Sequence, residues 1–225
     1  MSSRRRSVIA WVPYVVVAVA HFVLLAVESD VAAPTKLLLM PLLALPVVLL
    51  ADRVRSVAAV ATLLAAVFFS WLGDGVGVVV DGDSVLPLML GFFGVAHLAY
   101  IILFTRLAPE RRMPRWSLGY LGWWIAMLVV LGPHTGALLP AVAVYGLVLA
   151  GTAATSARCG PVVAVGGAFF LASDSLLAFR LFLPDATPGW FGPAVMATYT
   201  LGQGLIVAGL LRARGRSVSS GQPVE

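Results

Sequence analysis

The sequence predicts an all-α protein, a polytopic membrane bundle of eight transmembrane helices. Three observations carry that expectation. The chain has 225 residues, of which 60% are hydrophobic and 11% charged, and its mean hydropathy is +0.99. A soluble domain of this length cannot hide so much apolar surface. The apolar residues fall into eight runs separated by short polar loops, and the basic residues concentrate in alternate loops.

The first run, Val8–Val27, follows Arg4-Arg5-Arg6 and contains Ala18-Val19-Ala20, a combination that mimics a secretory signal with its cleavage site. The apolar run continues past it through Phe22-Val23-Leu24-Leu25, and seven more follow, so it reads as an uncleaved first helix. The second, Pro34–Leu50, is short and carries Pro41 and Pro46, which predicts a kink. The remaining helices are expected at Ser56–Asp74, Val85–Phe104, Ser117–Leu131, Ala137–Thr155, Pro161–Ala178 and Pro193–Leu211, the fifth again short. Residues 1–211 thus form one integral membrane domain. Residues 212–225, with Ser217, Ser219, Ser220, Gly221 and Pro223, read as a disordered cytoplasmic tail.

Eight crossings put both termini on one side. On that side lie Arg4, Arg5, Arg6, Arg53, Arg55, Arg106, Arg111, Arg112, Arg115, Arg158, Arg212, Arg214 and Arg216, 13 of the 15 basic residues, against Lys36 and Arg180 on the other. This bias is the orientation signal of a membrane protein whose termini are cytoplasmic. It also removes the nucleic-acid reading that a net charge of +5 invites, because the charges sit in loops between apolar runs. A bacterial plasma membrane is the expected location.

Two aspartates fall inside apolar segments, in Phe68-Phe69-Ser70-Trp71-Leu72-Gly73-Asp74 and Phe169-Phe170-Leu171-Ala172-Ser173-Asp174. An acid in hydrocarbon is costly and is a functional-site hypothesis by default. Each is followed by a tyrosine in the next helix, Tyr100 at 26 residues and Tyr199 at 25, so the halves echo each other like a duplicated four-helix unit. Gly94, His97 and Tyr100 share a helix face at spacing three, and Tyr199 and Gln203 at spacing four. Asp74, His97, Asp174, Tyr199 and Gln203 are therefore expected to converge in the outer half of the bundle. The plainer reading is that such groups only bond helices together.

Other chemistries have less support. The lone cysteine, Cys159, allows no intrachain disulfide. No Gly-x-Ser-x-Gly elbow marks a serine hydrolase. His21, His97 and His134 lie on separate elements, and zinc needs three or four ligands, so no metal and no cofactor are expected. His21 reads as a packing residue. Lys36, at the start of the second helix, is placed to snorkel to the interface or to meet a lipid phosphate.

The chain resembles the YhhN-like lysoplasmalogenase family of multi-pass membrane proteins. The resemblance is carried by Lys36 with Met40-Pro41, Leu72-Gly73-Asp74, Phe92-Phe93-Gly94-Val95-Ala96-His97-Leu98-Ala99-Tyr100, Tyr145, Gly166 through Leu176, and Tyr199 with Gln203. The resemblance implies hydrolysis of the vinyl-ether bond of a lysoplasmalogen, giving a fatty aldehyde and a glycerophospho-base. Membrane lipids and the lysophospholipid substrate would be the partners. That chemistry needs an acid to protonate carbon and an anion to steady the resulting oxocarbenium ion, a task two carboxylates in different environments can share. Asp74 and Asp174 would be the pair, with His97 orienting one or relaying a proton. Lys36, Tyr100, Tyr199 and Gln203 would bind substrate. A related ether or ester lysolipid remains open as substrate. A proton-coupled transporter using the same acids, and a lipid-binding protein without turnover, are the competing readings.

The charge bias makes a topological prediction. Reporter fusions at both ends should be active only in cytoplasmic form, and a C-terminus labelled from outside intact cells would overturn it.

Overall fold

The computed structural model describes residues 3–54 and 56–217, with side chains described for 5–54 and 56–212. Among the described residues, eight helices are long and apolar enough to cross a membrane. They are α1 (Ser3–Ala26), α2 (Ala32–Leu49), α3 (Val57–Val79), α4 (Val85–Ile102), α5 (Gly119–Leu131), α6 (Leu139–Ser156), α7 (Pro161–Phe182) and α8 (Phe191–Ser217). The short fifth helix reaches spanning length through 3₁₀ turns at Arg115–Leu118 and Gly132–His134. Pro41 and Pro46 both lie within α2, which is unbroken by other structure.

Helix ends follow local chemistry. Ser56 caps α3 by accepting a 3.1 Å hydrogen bond from the Ala59 N–H. Gly160, at φ +96°, turns the chain into Pro161, whose fixed φ suits the first position of a helix. At the end of α1, Ser29 N–H reaches Leu24 O at 2.9 Å and Glu28 N–H reaches Leu25 O at 3.2 Å. This is a Schellman motif, and its left-handed position is held by Glu28 at φ +54° where glycine is usual. A non-glycine residue there costs about 1–2 kcal/mol.

Most ends shift by a few residues from the sequence expectation, α1 starting at Ser3 instead of Val8, and three shifts bear on the site or the tail. α3 runs five residues beyond Asp74 and α7 runs four beyond Ala178. Gly75 through Val79 continue α3, so Asp74 does not stop its helix, and Phe179 through Phe182, apolar apart from Arg180, continue α7. Asp74 and Asp174 therefore lie about 8 Å and about 12 Å inside their helix ends, at 1.5 Å per residue, and Arg180 falls in the last turn of α7 instead of a loop. α8 continues to Ser217, into the segment expected as tail, and 218–225 lie outside the described residues.

The bundle is tightest where α7 meets α8. A Cβ on Gly166 would lie 2.8 Å from the Ile206 backbone nitrogen, and one on Gly202 would lie 2.8 Å from that of Phe170. Only bare backbone allows this approach, as small residues do in membrane helix pairs generally. Phe170, fully buried, then packs its ring 4.7 Å from His97 and 5.5 Å from Tyr199. Tyr14 on α1 donates to Thr200 O at 2.7 Å, and Trp71 on α3 donates to Leu37 O at 2.9 Å. These bonds pin α1 to α8 and α2 to α3.

Gly202→Ala should lower the detergent unfolding midpoint by the equivalent of about 1–3 kcal/mol, the usual cost of overpacking. Gly94→Ala, where nothing lies within 4 Å, should be neutral or stabilising, since alanine is the better helix former. Equal effects in a thermal melt would contradict the close-contact account.

Candidate functional site

At the end of the bundle formed by the C-terminal ends of α1, α3 and α7 and the N-terminal ends of α2 and α8, with Met89 and Phe93 of α4, lies a cavity of about 590 Å³. Lys36, Asp74, Asp174, Arg180 and Tyr199 all line it, although their positions span most of the sequence. Asp74 comes from α3 with its side chain only 3% exposed. It is held by two neighbours, Lys36 Nζ on α2 at 3.2 Å from Oδ1 and the Tyr199 hydroxyl on α8, which donates to Oδ2 at 2.8 Å. The two oxygens thus have separate partners, one ionic and one neutral.

Asp174 has a different environment. Its Oδ2 accepts from the Tyr145 hydroxyl on α6 and lies 3.5 Å from His97 Nε2 on α4. The same His97 nitrogen is 3.3 Å from the Tyr145 oxygen, so the three form a closed triangle. His97 is fully buried and its Nδ1 has no hydrogen-bond partner among the described residues. Asp174 is the more accessible carboxylate, its side chain 11% exposed. It also lines two apolar crevices. One runs between α4, α6 and α7, past Met89, Phe93 and Leu177, and the other between α5, α6 and α7, past Trp123, Met127 and Leu149. Asp174 is consequently the point where a cavity lined by charged groups and two apolar clefts meet.

Each acid has one partner from its own half of the chain and one from the other. Asp74 on α3 is held by Lys36 on α2 and Tyr199 on α8, and Asp174 on α7 by Tyr145 on α6 and His97 on α4. Tyr100 and Gln203 do not reach the cavity. The Tyr100 hydroxyl donates to Gln203 Oε1, and Gln203 Nε2 donates to Ser70 Oγ at 3.1 Å, with all three residues buried. Ser70 and Asp74 are one turn apart on α3, as are Gln203 and Tyr199 on α8, so this bond is a second rung beneath the Tyr199–Asp74 rung. Lys36 is directed at a carboxylate inside the protein.

Three residues at the site were not singled out for it by sequence. Tyr145 was read from sequence only as one of the residues that carry the family resemblance, with no role at the site. Arg180 was legible only as an exception to the charge bias. His21 is buried as a packing residue would be, with Nδ1 2.9 Å from Thr35 Oγ1, yet it lines the cavity and its Nε2 has no hydrogen-bond partner among the described residues. Cys159 is buried against the Ala108 carbonyl, away from the cavity. Among the described residues no group of three or more His, Cys, Asp or Glu side chains has the disposition of a metal site.

The YhhN family model matches residues 31–210. The chain belongs to the YhhN family. The match begins just before α2 and ends within α8, so it contains Lys36, Asp74, His97, Tyr145, Asp174, Arg180 and Tyr199 but not His21, Glu28 or Asp30. No curated protein and no solved structure matches this chain at a significant level. For this member of the YhhN family, a multi-pass membrane protein, the site must be read from its own geometry.

That geometry predicts a thermodynamic cycle. Lys36→Met leaves a buried carboxylate without its ammonium and should destabilise by about 3–5 kcal/mol, as broken buried pairs do. Lys36→Met with Asp74→Asn should recover most of that loss. Thermal melts of the two single variants and the double variant measure the coupling, and additive losses would mean the pair is not formed.

Proposed function

We propose that this protein hydrolyses the vinyl-ether bond of a lysoplasmalogen or a closely related alkenyl lysolipid, releasing a fatty aldehyde and a glycerophospho-base. The observation that carries the proposal is the position of Asp174, shared by the polar cavity and the apolar crevices. In an alkenyl lysolipid the vinyl ether is the junction between a polar glycerophospho group and a hydrocarbon tail. A substrate with its polar part in the cavity and its tail in a crevice has that junction at Asp174. Each buried methylene contributes about 0.8 kcal/mol to holding the tail there.

The chemistry assigns different work to the two acids. Asp174, in its carboxylic acid form, delivers a proton to the β-carbon of the vinyl ether, and the π electrons form the new C–H bond. The α-carbon and ether oxygen become an oxocarbenium ion. Asp74, ion-paired to Lys36 and bonded by Tyr199, supplies the fixed negative charge that steadies this cation and orients water. Water adds to the α-carbon, its proton leaves, and the hemiacetal collapses to an aldehyde and a free glycerol hydroxyl. One water is consumed and no electrons are gained or lost. His97, 3.5 Å from Asp174, returns a proton to Asp174 between turnovers, and Tyr145 fixes the carboxyl orientation. Tyr100 and Gln203, bonded to each other behind the site, act on it through the α3–α8 pairing. The charge bias of the loops supports a cytoplasmic position for both termini, with the cavity opening at the other face.

Purified protein should release aldehyde from lysoplasmalogens but not from saturated ether analogues. Asp74→Asn and Asp174→Asn should each lower kcat by about 10²–10⁴-fold, the usual worth of acid–base catalysis, while both still insert as folded protein, Asp74→Asn with a lower thermal midpoint because it breaks the Lys36 pair. Near-normal turnover in either variant would remove that carboxylate from the mechanism. Proton-driven uptake without aldehyde release would favour transport instead.

The pH profile should be a bell. Activity falls at high pH as the acid loses its proton and at low pH as the anion gains one, and both limbs belong to the coupled pair. A rate that rises monotonically with pH and is lost to a chelator would point to a metal hydroxide instead.

A further inference from the structure

We propose that the mouth of the cavity is a subsite for a zwitterionic phospho-base headgroup, with Arg180 taking the phosphate and Glu28 with Asp30 taking the ammonium. The inference rests on the lysolipid reading above and names the part of the molecule that selects the headgroup. Lys36 is committed to Asp74 at 3.2 Å, which leaves Arg180 as the other cation lining the cavity. Arginine presents a planar fork of N–H donors that matches phosphate oxygens two at a time. Its guanidinium lies beside Gly192, within 3.5 Å of where a Cβ would sit there, so the start of α8 leaves it room at the rim.

Glu28 and Asp30 line the same cavity from the α1–α2 turn. Neither they nor Arg180 form an ion pair among the described residues. Charges of both signs therefore face one opening without neutralising each other, which suits a ligand that carries both. Two further observations point the same way. Glu28 holds the left-handed position of its Schellman turn at φ +54°, a conformation glycine adopts freely and glutamate does not. Strain kept at a cavity rim is a pointer to function. Deeper in, His21 is 98% buried and lines the cavity with Nε2 unpartnered, a polar group suited to a glycerol hydroxyl between headgroup and tail.

The test uses 1-O-alkyl lysophospholipids, whose saturated ether has no double bond to protonate. Binding to the full-length protein in detergent is measured by calorimetry for three headgroups, phosphoethanolamine, phosphocholine and phosphate alone. Wild type should bind the two zwitterions more tightly than the phosphate. Arg180→Gln should weaken all three by about ten- to a hundredfold, the range for a lost charge-assisted hydrogen bond. Glu28→Gly combined with Asp30→Asn should weaken only the zwitterions, and Glu28→Gly should at the same time raise the thermal midpoint by relieving the turn. That pairing of higher stability with lost selectivity is not what a merely structural glutamate gives. Unchanged binding in Arg180→Gln, an equal loss of all three lipids in the acid variants, or no binding by wild type would each overturn the proposal. Because the lipids are not cleaved, absent aldehyde release with intact headgroup selectivity would remove the hydrolytic reading and leave the subsite standing.

Discussion

A carboxylate carried into a membrane-spanning bundle must find a counter-charge, and the Lys36–Asp74 pair at 3.2 Å is how this chain meets that demand. The pair fixes more than its own two residues. It draws α2 against α3, and the Tyr199 hydroxyl on the second carboxylate oxygen draws α8 to the same place. Gln203 and Ser70 repeat the α3–α8 bond one turn deeper. A buried ion pair is weak evidence for net stability, since desolvation offsets much of the attraction. Its value here lies in specifying which helices meet and at what depth.

The second acid is held more loosely, by a hydroxyl and an imidazole. Tyr145 and His97 surround Asp174 on one oxygen, and its side chain retains some exposure. Two carboxylates of the same residue type thus acquire opposite characters from their surroundings, one locked to a cation and one open to a cleft. The Gly166 and Gly202 contact makes this possible. By letting α7 and α8 touch, it brings Phe170 between His97 and Tyr199 and sets Asp174 and Tyr199 on the walls of one cavity.

Much of this was legible in the sequence because lipid imposes simple rules. Eight apolar runs gave eight helices, and acids in such runs announced themselves by their cost. The family resemblance read from the Gly-Asp, His-x-x-Tyr and Ser-Asp elements agrees with the family match. Helix ends were less legible, because Val76 through Val79 and Leu181-Phe182 continue a helix as readily as they would begin an apolar loop. The partners of polar residues were least legible. Spacing put Tyr199 and Gln203 on one face but could not say that Gln203 faces Tyr100 and Ser70 while Tyr199 faces Asp74. Tyr145 and Arg180 carried no periodic signal, and only the packing of α4 and α6 on α7, and the length of α7, bring them to the site.

The central claim is that a carboxylic acid at the polar–apolar junction protonates carbon. It is tested most directly by hydrolysing a lysoplasmalogen in D₂O, trapping the aldehyde at once by reduction, and locating deuterium by mass spectrometry. Protonation of the β-carbon predicts one solvent deuterium on the carbon next to the former carbonyl, together with slower turnover than in H₂O. A product with no deuterium at that carbon, formed at an unchanged rate, would contradict the account.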